Sequence, residues 1–171
     1  MIGSDLLPWL EYRWAFDFPP GMYRAFLARL RGTPARLEDL VRGVKQAVLT
    51  RHDTGKWSAQ EHAGHLWTLE PLFQARIGEY LNGIATLSAA DMGNRATSDA
   101  AYDQRPIGDI LAAFRTARGE TLAMLDPLSR ADAARIARHP RLDRQMRLVD
   151  LCCFIAAHDD HHLALIHQLT A

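Results

Sequence analysis

Cysteine is nearly absent from this sequence: 171 residues hold two, Cys152 and Cys153, and they are neighbours. Adjacent side chains on a helix diverge by about 100°. The pair is therefore badly placed for an intrachain structural disulfide, as suits a reducing compartment, and small core positions are its expected role. Also missing is a charge excess of either sign. Twenty basic and twenty acidic residues cancel, with no long like-charge block, so the electrostatic footprint of a nucleic-acid binder is lacking and no nucleic-acid partner is expected. No window approaches membrane-spanning length, and the start, Met1-Ile2-Gly3-Ser4-Asp5-Leu6-Leu7-Pro8-Trp9, has no basic segment leading into a long apolar one. A soluble cytoplasmic protein without a membrane partner is expected. Strand patterns of useful length, internal repeats and low-complexity tracts are missing too.

What is present is apolar residue at helical spacing. Hydrophobic residues make up 48% of the chain, enough for one substantial core and a single domain over 1–171. Residues 5–18, rich in Trp, Tyr and Phe, read as a lead-in that packs Trp9, Trp14 and Phe16 onto the body before Pro19-Pro20-Gly21. Met22, Ala25, Phe26 and Leu30 define a first helix ended by Gly32, and Thr33-Pro34 starts a second short one through Leu37, Leu40, Val41 and Val44. After a polar loop over 50–56, Ser58-Ala59-Gln60-Glu61 matches a capping box. The helix it opens runs to Asn82-Gly83, with a kink expected at Pro71.

Residues 84–105 read as a long loop with some helical turns, and loops of that length are often functional. Pro106 opens a helix stopped by Asp126-Pro127, Ser129 caps a short one to about Ala137, and residues 141–146 are extended or loop. The last helix covers about 147–169. Four long amphipathic helices with short connectors make an all-α four-helix bundle the expected fold.

Three of the eight histidines fall within five positions, in Ala157-His158-Asp159-Asp160-His161-His162-Leu163. His158 and His162 are four apart, about 40° in rotation and roughly 6 Å along a helix axis. Ile155, Leu165 and Leu169 share their face, so the pair points to a core, where imidazoles without a partner are costly. His65 is the best third ligand, because Leu69, Leu72 and Arg76 continue its face toward the bundle interior. Taken alone it reads more readily as a satisfied or half-exposed histidine. Three imidazoles from two helices make an open metal site with room for water or substrate. The pattern is not the His-Glu-x-x-His of zinc proteases, since position 159 is Asp.

Around this triad, His62 is a candidate fourth ligand, and His161 lies at the edge as a supporting or surface residue. His52, His139 and His167 read as surface residues. Asp159 and Asp160 are placed to orient an imidazole or accept a proton from metal-bound water, with a solvated helix flank as the plainer reading, preferred for Asp160; Asp159 is the candidate catalytic residue, and the sequence assigns none beyond it. Trp57 and Trp67 either line a pocket or simply pack. Arg76 is the best anion contact, with surface pairing as the commoner reading.

The segments Trp57-Ser58-x-x-Glu61-His62-x-Gly64-His65-Leu66 and His158-Asp159-x-His161-His162-Leu163-x-x-Ile166, with Arg31-Gly32-Thr33-Pro34-Ala35-Arg36-Leu37, resemble the DinB-like superfamily, which includes YfiT-type metal-dependent enzymes. The resemblance covers nearly the whole chain. It implies a four-helix bundle and one divalent metal ion, nickel or zinc, on His65, His158 and His162. It implies further a transferase of a low-molecular-weight thiol to an electrophile, with hydrolysis or a non-catalytic metal- or ligand-binding role as alternatives, and a homodimer. A three-histidine metal with open positions would hold a thiol as thiolate, or activate water.

Overall fold

The computed structural model describes residues 6–53 and 55–171. The first five residues, where no leader is expected, and residue 54, inside the expected 50–56 loop, lie outside them. In chain order come α1 (Tyr23–Val41), α2 (Gln46–Leu49), α3 (Ala59–Thr68), α4 (Glu70–Leu81), α5 (Arg95–Asp99), α6 (Ile107–Leu125), α7 (Arg130–Ala133), the strands β1 (Ile136–His139) and β2 (Arg144–Arg147), and α8 (Leu148–Thr170). The rods α1, α3 with α4, α6 and α8 form a four-helix bundle. Both α1 and α3 pack on α6 and on α8, so α6 and α8 occupy opposite corners.

The capping box at Ser58 forms as the sequence predicts: Ser58 Oγ accepts from the Glu61 N–H at 3.0 Å, and Glu61 Oε2 accepts from the Ser58 N–H at 2.9 Å. The Pro71 kink is a break at Leu69, which puts the proline in the first turn of α4, where its missing donor costs nothing. Gly83 closes α4 at φ +69°. The lead-in packs Trp9, Trp14 and Phe16 onto the core.

Three expectations are corrected. The first helix does not end at Gly32; α1 continues through Thr33 and Pro34 to Val41. A proline at 34 leaves the Leu30 carbonyl without its helical donor, and Arg118 Nη1 from α6 supplies one at 3.2 Å. Thr33 is no N-cap, since its hydroxyl donates to Asp159 at 2.8 Å. The helix from Ser129 stops at Ala133, and residues 136–147 form an antiparallel hairpin pairing Ile136 with Arg147 and His139 with Arg144. Its period of two was illegible because the inward positions of β1 are Ala137 and His139, whereas the large apolar Ile136 faces outward, and β2 turns only Met146 inward. The 84–105 segment covers β1: Leu87 N–H donates to Arg138 O at 3.0 Å, and Arg138 N–H to Ala85 O at 2.8 Å.

The core is split in two. Tyr23, Phe26, Leu30, Phe73, Ile77 and Leu151 belong to one apolar cluster, and Leu37, Leu66, Phe114, Leu163 and Ile166 to the other. Between them in every rod come polar residues: Thr33 in α1, Glu70 in α4, Arg118 in α6 and His158 to His162 in α8. This belt carries the candidate site.

Candidate metal centre

The belt has two parts. One is a closed ion-pair network: Arg118 meets Glu70 at 2.6 Å and Asp159 at 2.6 Å, and Thr121 Oγ1 donates to Glu70 Oε2 at 2.5 Å. All four side chains are buried. Asp159 therefore faces α1 and α6 and is consumed by Arg118 and Thr33. It does not line the cavity beside the histidines, contrary to its candidacy as an orienting or proton-accepting group. Asp160 pairs with Arg29 and, at 2.7 Å, with Arg36 at the rim of α1.

The other part is the histidine cluster. His65, His158 and His162 are all buried, and each offers a ring nitrogen within 4.8 Å of the other two. The four-residue step on α8 sets His158 Nε2 and His162 Nε2 3.1 Å apart. His65 Nδ1 is engaged by Thr97 Oγ1 of α5 at 2.9 Å, which leaves Nε2 for the cluster. His162 Nδ1 lies 2.9 Å from His62 Nδ1. His62 is thus not the exposed first-turn residue that its position also allowed; it is buried and backs His162. Among the described residues His158 Nδ1 is buried with no partner.

Burial pushes all these imidazoles down: His65 and His62 to about 4, and His158 and His162 well below the usual value, helped by their mutual proximity. They are neutral at pH 7, the form in which imidazole donates to a metal ion. Three neutral, converging, buried nitrogens fit a divalent ion of borderline softness.

The cluster opens on a cavity of about 270 Å³. Trp57 walls one side, its ring centroid 4.8 Å from His65. Trp9 of the lead-in walls another, 5.0 Å from His158. His161 is buried rather than superficial, with Nδ1 3.2 Å from the Tyr12 hydroxyl. His139, expected at the surface, is buried and lines the cavity together with Arg76 and Arg141. Trp67 does not line it and packs against Tyr102. His52 and His167 are exposed, as the sequence suggests. Neither cysteine lines the cavity, and burial raises both thiols.

Thr97, Trp9, His139 and Arg141 were missed by sequence reasoning. Only Thr97 had a legible signal, through the long 84–105 segment. That segment is pinned by Tyr102, which lies flat on Gly64: a Cβ at 64 would stand 2.3 Å from its ring. The Tyr102 hydroxyl is 2.6 Å from Thr68 Oγ1.

The fold has a counterpart among solved structures. No curated protein matches the chain. Among solved structures, YfiT from Bacillus subtilis, described as a probable metal-dependent hydrolase with an unusual four-helix bundle topology, superposes with a TM-score of 0.80 at 20% identity, over 93% of this chain and 91% of that one. The family model of the DinB superfamily matches residues 29–166, which include all the histidines of the cluster. On that match, over most of its length, the chain belongs to the DinB superfamily.

Proposed function

We propose that this protein is an enzyme that holds one divalent ion, nickel or zinc, on His65, His158 and His162 and uses it to activate a small nucleophile. The carrying observation is the convergence of three buried, neutral imidazoles within 4.8 Å at the wall of a cavity. Such an ion supplies Lewis acidity that lowers the pKa of a bound nucleophile. The residues contribute the rest: Thr97 and His62 fix two ring orientations, and Trp9 and Trp57 wall the cavity beside His158 and His65.

A low-molecular-weight thiol is the nucleophile we favour, with attack of its thiolate sulfur on an electrophile, to which the whole thiol becomes attached, as the reaction. The lining supports this. Its one carboxylate among the described residues, Asp91, is engaged by the Gly93 and Arg95 N–H groups and by Arg95 Nε, so no carboxylate is free as a general base. A thiol that coordinates a metal ion needs none, because coordination deprotonates it. The second reading is hydrolysis, favoured by the description of YfiT.

Metal analysis of tag-free protein by elemental mass spectrometry is expected to give about one nickel or zinc per chain. His158→Ala and His162→Ala should each lose it; unchanged content in both variants would overturn the ligand assignment. Added thiol should then shift the visible spectrum of cobalt-loaded protein. A loaded sample whose spectrum ignores every thiol tried would sink the transferase reading and leave hydrolysis.

A further inference from the structure

Arg76 and Arg141 are the two cations of the cavity wall that the proposed metal centre does not use. Arg76, on α4, is 2% exposed. Its Nε donates to Ser88 O at 2.9 Å, and its Nη1 lies 3.3 Å from His139 Nε2. Its Nη2 is buried without a hydrogen-bond partner among the described residues. Arg141 extends from the turn between β1 and β2, half-buried, with its guanidinium 5.5 Å over the Phe154 ring. Its Nη2 is likewise buried and unpartnered.

Neither guanidinium has a carboxylate within ion-pair distance among the described residues. Glu79, the acid nearest Arg76 in sequence, is occupied by the Ser88 backbone and hydroxyl, and Asp91 is held by Arg95. Burying a cation without a counter-charge is expensive, and here two share one wall. Burial and mutual repulsion act on both sides of the group: Arg141 adds to the lowering of Arg76, and the two arginines together lower His139. The other fully buried arginine among the described residues, Arg118, is paired with Glu70 and Asp159. The exception lies at the wall of the cavity.

We infer that the cavity takes a substrate with an oxyanion group, a carboxylate or a phosphate, bound by the free Nη2 groups of Arg76 and Arg141. Fork-shaped guanidinium donors match two oxygens of such a group. Between them and the histidines the surface is aromatic: Phe154 is 5.0 Å from Trp9, and Trp9 is 5.0 Å from His158. The substrate is therefore amphipathic, with its anionic end at the arginines, a short apolar body on Phe154 and Trp9, and its reacting atom at His65, His158 and His162. That last placement rests on the proposed metal centre. The oxyanion site does not.

Calorimetric titration of the full chain, as purified and after EDTA treatment, with butyrate, inorganic phosphate and neutral butyramide tests the inference. Saturable binding of butyrate or of phosphate is expected, whichever binds naming the class of oxyanion, and no binding of butyramide. Arg141→Gln, at a half-buried turn position, should weaken it by about 10- to 100-fold, with partial recovery in Arg141→Lys. Arg76→Gln should weaken it similarly, and a thermal melt identifies any loss due to unfolding. Equal affinity in Arg141→Gln and wild type, butyramide binding as tight as butyrate, or no oxyanion binding at all would overturn the site. Binding that needs the metal and ignores Arg141 would place the anion on the ion and overturn it equally. Metal content of the same samples reports on the metal centre separately.

Discussion

His162 is the residue on which the site turns, because each of its ring nitrogens meets another histidine. Nε2 is 3.1 Å from His158 and Nδ1 is 2.9 Å from His62. A neutral imidazole has one proton, so giving Nε2 to an ion leaves the proton on Nδ1, donated to His62 Nδ1. In the proposed metal centre His62 would thereby fix the tautomer of a ligand without itself being one. His62→Ala is expected to lower metal affinity about 10- to 100-fold while leaving one ion per chain at saturation, as chelator competition would measure. Unchanged affinity would mean that the His62 contact is incidental. Loss of the ion even at saturating metal would make His62 a ligand. The sequence offered His62 both as ligand and as exposed residue, and period alone could not separate these. Its burial depends on α8 crossing the start of α3, a contact 100 residues away.

At the scale of elements, α1 and α6 are joined by an exchange of hydrogen-bonding groups. Pro34 frees the Leu30 carbonyl, and Arg118 takes it up while neutralising Glu70 and Asp159. Arg118→Leu leaves two buried carboxylates with a hydroxyl partner each but no counter-charge, and one carbonyl without a donor, and is expected to cost about 3–5 kcal/mol in urea unfolding. Pro34→Ala in that background restores the helical donor and should recover about 1 kcal/mol; in the wild type, where Arg118 already serves the carbonyl, it should recover less. Equal effects of Pro34→Ala in both backgrounds would show that the two residues are not coupled. A proline after Gly32-Thr33 reads locally as a helix start, and only α6 makes it a helix interior. The hairpin fails to be legible for a related reason. Its inward side chains are Ala137, His139 and a single large apolar residue, Met146, so the alternation that marks a strand is absent from the composition and present only in the burial.

Across the whole molecule, the buried histidines make stability depend on pH. Burial, then Arg76 and Arg141, hold His139 down to about 4, whereas an imidazole in the unfolded chain takes its proton near 6.5. Between these values the unfolded state binds the additional proton. Stability is therefore flat above about pH 6.5 and falls as the pH drops toward 4. His62 and His65 act in the same direction, so the measurement is made on EDTA-treated protein, free of linkage to metal. His139→Asn should reduce the slope of unfolding free energy against pH in this window by up to about 1.4 kcal/mol per pH unit. A slope identical to wild type would mean that His139 is not buried in its neutral form.

Period, capping and spacing are local properties, and they were sufficient for the helical bundle, the Ser58 cap, the break near Pro71 and the pairing of His158 with His162 on one face. These follow from 3.6 residues per turn and from backbone donors that a neighbouring side chain can satisfy. The long 84–105 segment could likewise be marked as functional, though not what it delivers. The tertiary structure alone decided that Asp159 turns away to Arg118, that Thr97 orients His65, that Trp9 from the lead-in closes the site, and that Arg76, His139 and Arg141 meet at one wall. Each of these joins residues tens of positions apart on different elements of the fold. Which partner a buried polar group finds is a property of the packed belt, where every donor and charge competes for the same few neighbours.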